Sequence, residues 1–166
     1  FGDGSVKLKN YHVAGGPERA YQLGFDYRDP DFWWLGASVN RFSNAYVDVS
    51  YLRRSGAFSS DNDGQAFNDY TAEVAQELLK QEQLDAYYLV NIVGGKSWRV
   101  KSYTFGFFGL LNNALNTRYK TGGFEDSRIG DYRSLLEEHA RDTPLFGNRY
   151  FLGYGATFYL NFYVRF

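Results

Sequence analysis

The chain has 166 residues, 20% of them aromatic, with 18 Gly, no Cys and a formal net charge of −1. Lack of Cys excludes disulfides, thiol catalysis and Cys-based zinc sites, and no Lys/Arg block is long enough to track a phosphate backbone, which argues against a nucleic-acid partner. No run approaches the ~18 consecutive apolar residues of a membrane helix, so any membrane span must be made of strands.

Mean hydropathy is −0.47 despite the aromatic content. That combination fits strands whose alternate residues meet lipid and water, although a soluble β-sandwich shares it. The chain begins at Phe1, contains no Met and shows no leader-like start. The expectation is a fragment or a trimmed product, treated as a single domain over 1–166.

Residues 6–13 read as a strand whose apolar side switches between Leu8 and Tyr11, followed by a brief link at 14–17. Residues 19–27 alternate cleanly, with Tyr21, Leu23, Phe25 and Tyr27 against Ala20, Gln22, Gly24 and Asp26. A turn at Asp29-Pro30 leads to a strand at 33–40, because proline cannot donate to a ladder. A long connection at 44–84 follows. Within it Asp69 or Thr71 can cap a short helix carrying Val74, Leu78 and Leu79. Residues 86–100 form a further strand, where Gly94-Gly95 is expected to make a bulge. Lys101-Ser102 is a tight turn into a strand at 103–111, and 113–148 is a second long connection with helical character at 132–140. The last strand, 156–166, sets Ala156, Phe158, Leu160, Phe162, Val164 and Phe166 against Thr157, Tyr159, Asn161, Tyr163 and Arg165. Its length suits a tilted crossing of a bilayer better than the usual five to six residues of a soluble strand.

Tight turns alternating with long connections match the short periplasmic turns and long extracellular loops of outer-membrane barrels. Trp33, Trp34, Trp98 and Tyr103 flank the tight turns, where an interfacial aromatic girdle would stand; the competing reading makes them core residues of a soluble sheet. For the acidic stretch 59–64 calcium ligation competes with a solvated loop tip, which is favoured because the EF-hand Glu is missing. His12 and His139 are far apart in sequence, and Glu125-Asp126 and Glu137-Glu138 read as wet surface. Loop aromatics Phe58, Phe67, Tyr70, Tyr132 and Phe146 read as packing within the loops more than as ligand platforms. Nothing argues for catalysis, and the expectation is a non-enzyme without cofactor or metal.

The runs 16–21 and 27–30, 67–70, 94–99, 119–125 and 143–148, with the aromatic terminus, resemble TonB-dependent receptors of Bacteroidota. Members of the kind resembled often carry a distant carboxypeptidase-regulatory-like domain. The resemblance implies an all-β, antiparallel transmembrane barrel of about 22 strands closed by a plug, of which this chain would supply about the last six. It also implies the bacterial outer membrane as location and active nutrient uptake as function. Leu160, Phe162, Val164 and Phe166 would be the signal read by the barrel-assembly machinery. The implied partners are outer-membrane lipid, the rest of the barrel and its plug, the TonB complex through an N-terminal part outside this sequence, and optionally a surface lipoprotein. The alternative is a soluble β-rich ligand-binding module, a sandwich or small barrel.

Overall fold

The computed structural model describes residue 6 and residues 8–166. It is a mostly antiparallel β structure with two short helices, and it divides into two compact units.

One unit comprises Pro17–Asn44, Asp85–Tyr119 and Leu152–Phe166. Its frame is a five-stranded sheet in the order β1-β2-β5-β6-β9, formed by β1 (Arg19–Arg28), β2 (Trp33–Ser43), β5 (Tyr87–Val100), β6 (Tyr103–Asn112) and β9 (Thr157–Arg165). Every neighbouring pair is antiparallel, and four of the five strands have ten or more residues. Aromatic and β-branched residues at alternate positions supply the propensity for this pleated surface. Both tight turns and the end of β9 lie at one end of the sheet; both long connections leave from the other.

The turns are built as the sequence suggests. Asp29 Oδ1 accepts from the Asp31 amide at 2.9 Å, and Asp29 N–H donates to the Trp33 carbonyl at 2.9 Å. Val100 pairs directly with Tyr103, and Lys101 takes a φ of 57°, which a two-residue hairpin accommodates.

Two expectations about strands need correction. Residues 8–13 carry no strand; Val6 makes only an isolated bridge to Ser55, and Lys7 lies outside the described residues, so the sheet has five strands where six were expected. The side switch between Leu8 and Tyr11 was the sign of this, since a strand with a buried face cannot change sides without a bulge. Gly94-Gly95 form no bulge either: the register runs unbroken past both on either side. Glycine is needed at 95 for another reason. A Cβ there would stand 2.6 Å from the Phe107 carbonyl and 2.9 Å from Trp34 Nε1.

The other unit comprises the described part of Phe1–Gly16 with Ala45–Leu84 and Lys120–Phe151. It holds a ladder of β3 (Ala45–Tyr46) with β4 (Gln83–Leu84), two 3-10 turns at Leu52–Arg54 and Gly56–Ser59, α1 (Ala72–Leu78), β7 (Lys120–Phe124) and α2 (Tyr132–His139). β7 pairs with β8 (Arg149–Leu152). Asp131 caps α2 by accepting from the Ser134 amide at 2.9 Å. Phe58, Ala75, Ile129, Tyr132 and Leu135 form a buried cluster with Phe67, Leu78, Leu79 and Phe146 against it. Phe58, Phe67, Tyr132 and Phe146 therefore pack inward, as the sequence reading favoured, whereas Tyr70 is 38% exposed.

Candidate functional surfaces

The registers fix which side chains share a face, because residues paired across antiparallel strands point the same way. On one face β1 places Tyr21, Leu23, Phe25 and Tyr27 opposite Arg41, Val39, Ala37 and Leu35 of β2. The same face continues through Tyr88, Val90, Ile92 and Gly94 of β5 to Phe105, Phe107, Gly109 and Leu111 of β6. It ends on Phe158, Leu160, Phe162 and Val164 of β9. Lys96 of β5 and Arg41 of β2 are charged side chains on this otherwise apolar surface, and it is open: Phe25 is 60%, Phe162 73% and Phe158 84% exposed.

Amphipathic rings stand at both ends of that face. Toward the tight turns are Tyr27 and Trp33, their ring centroids 5.0 Å apart, with Trp98 and Tyr103 beside them. Toward the long connections are Tyr21 and Tyr88, with the Arg41 guanidinium 5.8 Å from the Tyr88 ring centre. Ten residues separate Tyr88 from Trp98 along β5. At about 3.4 Å per residue and a tilt of about 40°, that spans about 26 Å of depth, close to the ~25 Å apolar band of outer-membrane barrels.

Trp34 departs from the expected girdle. Successive strand residues point to opposite faces, so Trp34 lies on the far face with its indole over Gly95, while Trp33, Trp98 and Tyr103 share the apolar one. Leu160, Phe162 and Val164 all lie on the apolar face, and Phe166 follows the strand with the same parity.

The opposite face is mixed, with Gln22, Asp26, Ser38, Asn40, Asn91 and Asn161 among Leu89, Val93, Phe108 and Leu110. Gln22, Asp26, Ser38 and Asn91 border a trough of about 600 Å³ floored in part by Gly24 and Gly36. Nearer the tight turns Ser97 Oγ and Tyr163 Oη are 2.7 Å apart, and the Tyr163 ring occupies the space a Cβ at Gly106 would need.

The compact unit with α1 and α2 carries a second surface. Segment 9–12, β3, β4 and α1 enclose a groove of about 860 Å³ lined by Tyr11, His12, Tyr46, Tyr70, Gln76 and Gln83, among others. His12 stacks on Tyr46 with centroids 3.9 Å apart. Its backbone is fixed by a reciprocal pair with Gln81: the His12 amide donates to Oε1 at 2.8 Å, and Nε2 donates to the His12 carbonyl at 2.9 Å. That anchoring fixes this part of the groove wall.

Beneath it lies an ionic cluster that sequence reasoning took for wet surface. Glu125 is buried; it accepts from Arg54 Nη2 at 2.7 Å and from the Ser50 amide at 2.9 Å, and Arg54 Nη1 also bonds it. Burial works against the Arg54 charge, and Glu125 outweighs it, holding the guanidinium above its ordinary value. Arg53, more weakly paired, is lowered by burial. Asp126 is also buried and is held well below the carboxylate range by hydrogen bonds from Arg128. Glu138, likewise buried, accepts from the Phe146 amide at 2.6 Å and pairs with Arg141. The partner of Glu125 is 71 residues away in sequence, a pairing no local pattern announces. Tyr150 is pushed up to about 12 by burial and by donating to Glu82 at 2.8 Å.

The acidic stretch behaves as a loop tip: Asp61 Oδ1 accepts from the Asp63 and Gln65 amides at 3.0 and 2.8 Å, which uses the carboxylate locally. Among the described residues no three His, Asp or Glu side chains are grouped to hold a metal ion. His12 lines the groove and His139 ends α2.

No family model matches the chain, and no curated protein or solved structure matches it.

Proposed function

We propose that this chain is wall and loop of a TonB-dependent outer-membrane receptor that takes up a nutrient. The observation that carries the reading is the continuous, exposed apolar face ending at each side in Tyr and Trp rings. A sheet in water must bury one face against another layer. Lipid meets the need without one, and amphipathic rings then sit at the headgroup level.

Edges point the same way. Backbone groups cannot stay unpaired in hydrocarbon, so the free sides of β1 and β9 require further strands, which the rest of a barrel would supply. In this reading the mixed face with Gln22, Ser38 and Asn91 lines the lumen, the tight turns face the periplasm, and the groove of the α1/α2 unit receives the solute. Leu160, Phe162, Val164 and Phe166 serve as the assembly signal. The plug and the TonB contact belong to segments outside this sequence.

Two measurements test this. The full-length protein should fractionate with the outer membrane and require detergent for release; a detergent-free soluble monomer would favour the soluble binding module instead. Host cells lacking the energy-coupling protein should still bind the solute at the surface but no longer accumulate it, and undiminished accumulation would contradict energised uptake.

A further inference from the structure

The apolar face contains one charged side chain between its two rows of amphipathic rings: Lys96, paired across β2 with Trp33 and across β6 with Phe107. A cation on a lipid-facing surface is costly unless it reaches water or a counter-charge. Lys96 has no hydrogen-bond or ion-pair partner among the described residues. Asp29 at the tight turn is within range of its field, but that carboxylate already accepts from the Asp31 amide and the Tyr27 hydroxyl.

Depth matters here. Lys96 is four residues from the end of β5, about 13 Å along the strand and about 10 Å in depth at a 40° tilt. A lysine stem extended toward the tight turns, where the Asp29 carboxylate senses its charge, would reach the headgroup level.

On its other side the surface dips. Gly94 and Gly109 are directly paired, so two adjacent strands present bare backbone at one level. Leu35 Cδ1 stands 3.3 Å from where a Gly94 Cβ would be, and Leu160 Cδ1 3.6 Å from a Gly109 Cβ. The result is a shallow apolar notch at the two glycines, partly covered by the two leucines, next to the Lys96 ammonium.

We infer that Lys96 and this notch hold one phospholipid of the leaflet nearer the tight turns, its phosphate on the ammonium and an acyl chain over Gly94 and Gly109. The inference rests on the lipid-facing reading above. A phospholipid suits the site because charge and hydrocarbon are required together, in that order of depth; free phosphate satisfies only the first.

The test uses the full-length protein purified from membranes in mild detergent, with bound phosphatidylglycerol counted by native mass spectrometry. Wild type should retain one lipid through delipidation. Lys96→Gln should weaken retention about fivefold, the worth of one basic residue at a membrane surface. Lys96→Arg should restore it, and Gly109→Leu should weaken it by filling the notch with the charge intact. Inorganic phosphate should fail to displace the lipid. Equal retention by wild type and Lys96→Gln, or displacement by phosphate alone, would overturn the site. Quenching of tryptophan fluorescence by brominated lipid reports membrane insertion separately. Quenching with no lysine dependence refutes the lipid site alone, whereas no quenching in wild type refutes the transmembrane reading and this site with it.

Discussion

The two units solve the hydrophobic problem in opposite ways. The α1/α2 unit turns its apolar side chains inward: Leu135 is 2% exposed, and Phe58, Ile129 and Tyr132 close around it. The five-stranded sheet turns Leu23, Phe25, Phe158 and Phe162 outward, and all buried hydrophobic residues of the described chain belong to the other unit. One unit encloses its own apolar cluster. The other leaves its apolar face open, and the proposed membrane setting rests on that difference.

The sharpest way to break this contrast is to attack the compact unit where its charges are buried. Glu125→Gln should leave Arg54 buried beside a neutral amide, at a cost of about 3–5 kcal/mol. Hydrogen exchange should show amides of 45–84 and 120–151 losing protection while those of the sheet keep theirs. Loss of protection in the sheet as well would mean the two units are not energetically separate.

Next come two apolar sites with opposite surroundings. Leu135→Ala should destabilise the compact unit by about 2–5 kcal/mol in any solvent, because it opens a cavity. Phe162→Arg should cost about 2–4 kcal/mol, and only in a bilayer, since the position is exposed and a charge there is tolerated in water. Unfolding titrations in lipid vesicles compared with detergent would separate the two.

How far the sequence foretold this follows from the same division. Strict alternation with period two is visible without knowing any partner, so all five long strands and both tight turns were legible, and so was the apolar face of β9. The compact unit was legible only in its helices. Its ionic cluster joins Arg54 to a carboxylate 71 positions away, so Glu125-Asp126 looked like surface. The segment at 6–13 misled for a related reason: Tyr11 and His12 are placed by long-range bonds to Leu79 and Gln81, not by a ladder. Gly94-Gly95 shows how ambiguous glycine is within a strand, since a bulge and a close approach leave the same trace in sequence. Trp34 was grouped with Trp33 by proximity, although parity alone assigns neighbours to opposite faces.

Smaller effects sharpen the picture within each unit. Gly95→Ala should cost about 1–3 kcal/mol by overpacking against the Phe107 carbonyl and Trp34, whereas Gly109→Ala, whose Cβ would meet nothing closer than 3.6 Å, should be nearly neutral. Thermal unfolding of both variants in detergent checks the pair.

The mildest effect is alkaline. Tyr150 ionises at about 12 in the folded chain against an ordinary value of 10.0, so the unfolded state loses this proton first as pH rises. Its contribution is complete below about pH 10 and fades as pH climbs toward 12. Glu82→Gln should narrow that window, read as a smaller alkaline loss of hydrogen-exchange protection around β7 and β8.

Which solvent meets the apolar face can be measured directly by attaching nitroxide spin labels singly along the strands and comparing collision with oxygen, which concentrates in lipid, and with a water-soluble nickel complex. Labels at Phe25, Ile92, Phe107 and Phe162 of the membrane-reconstituted protein should favour oxygen, and labels at Gln22, Asn91 and Asn161 should favour nickel, alternating residue by residue. If the first set is as open to nickel as the second, or shielded from both reagents inside a protein core, the sheet does not face lipid.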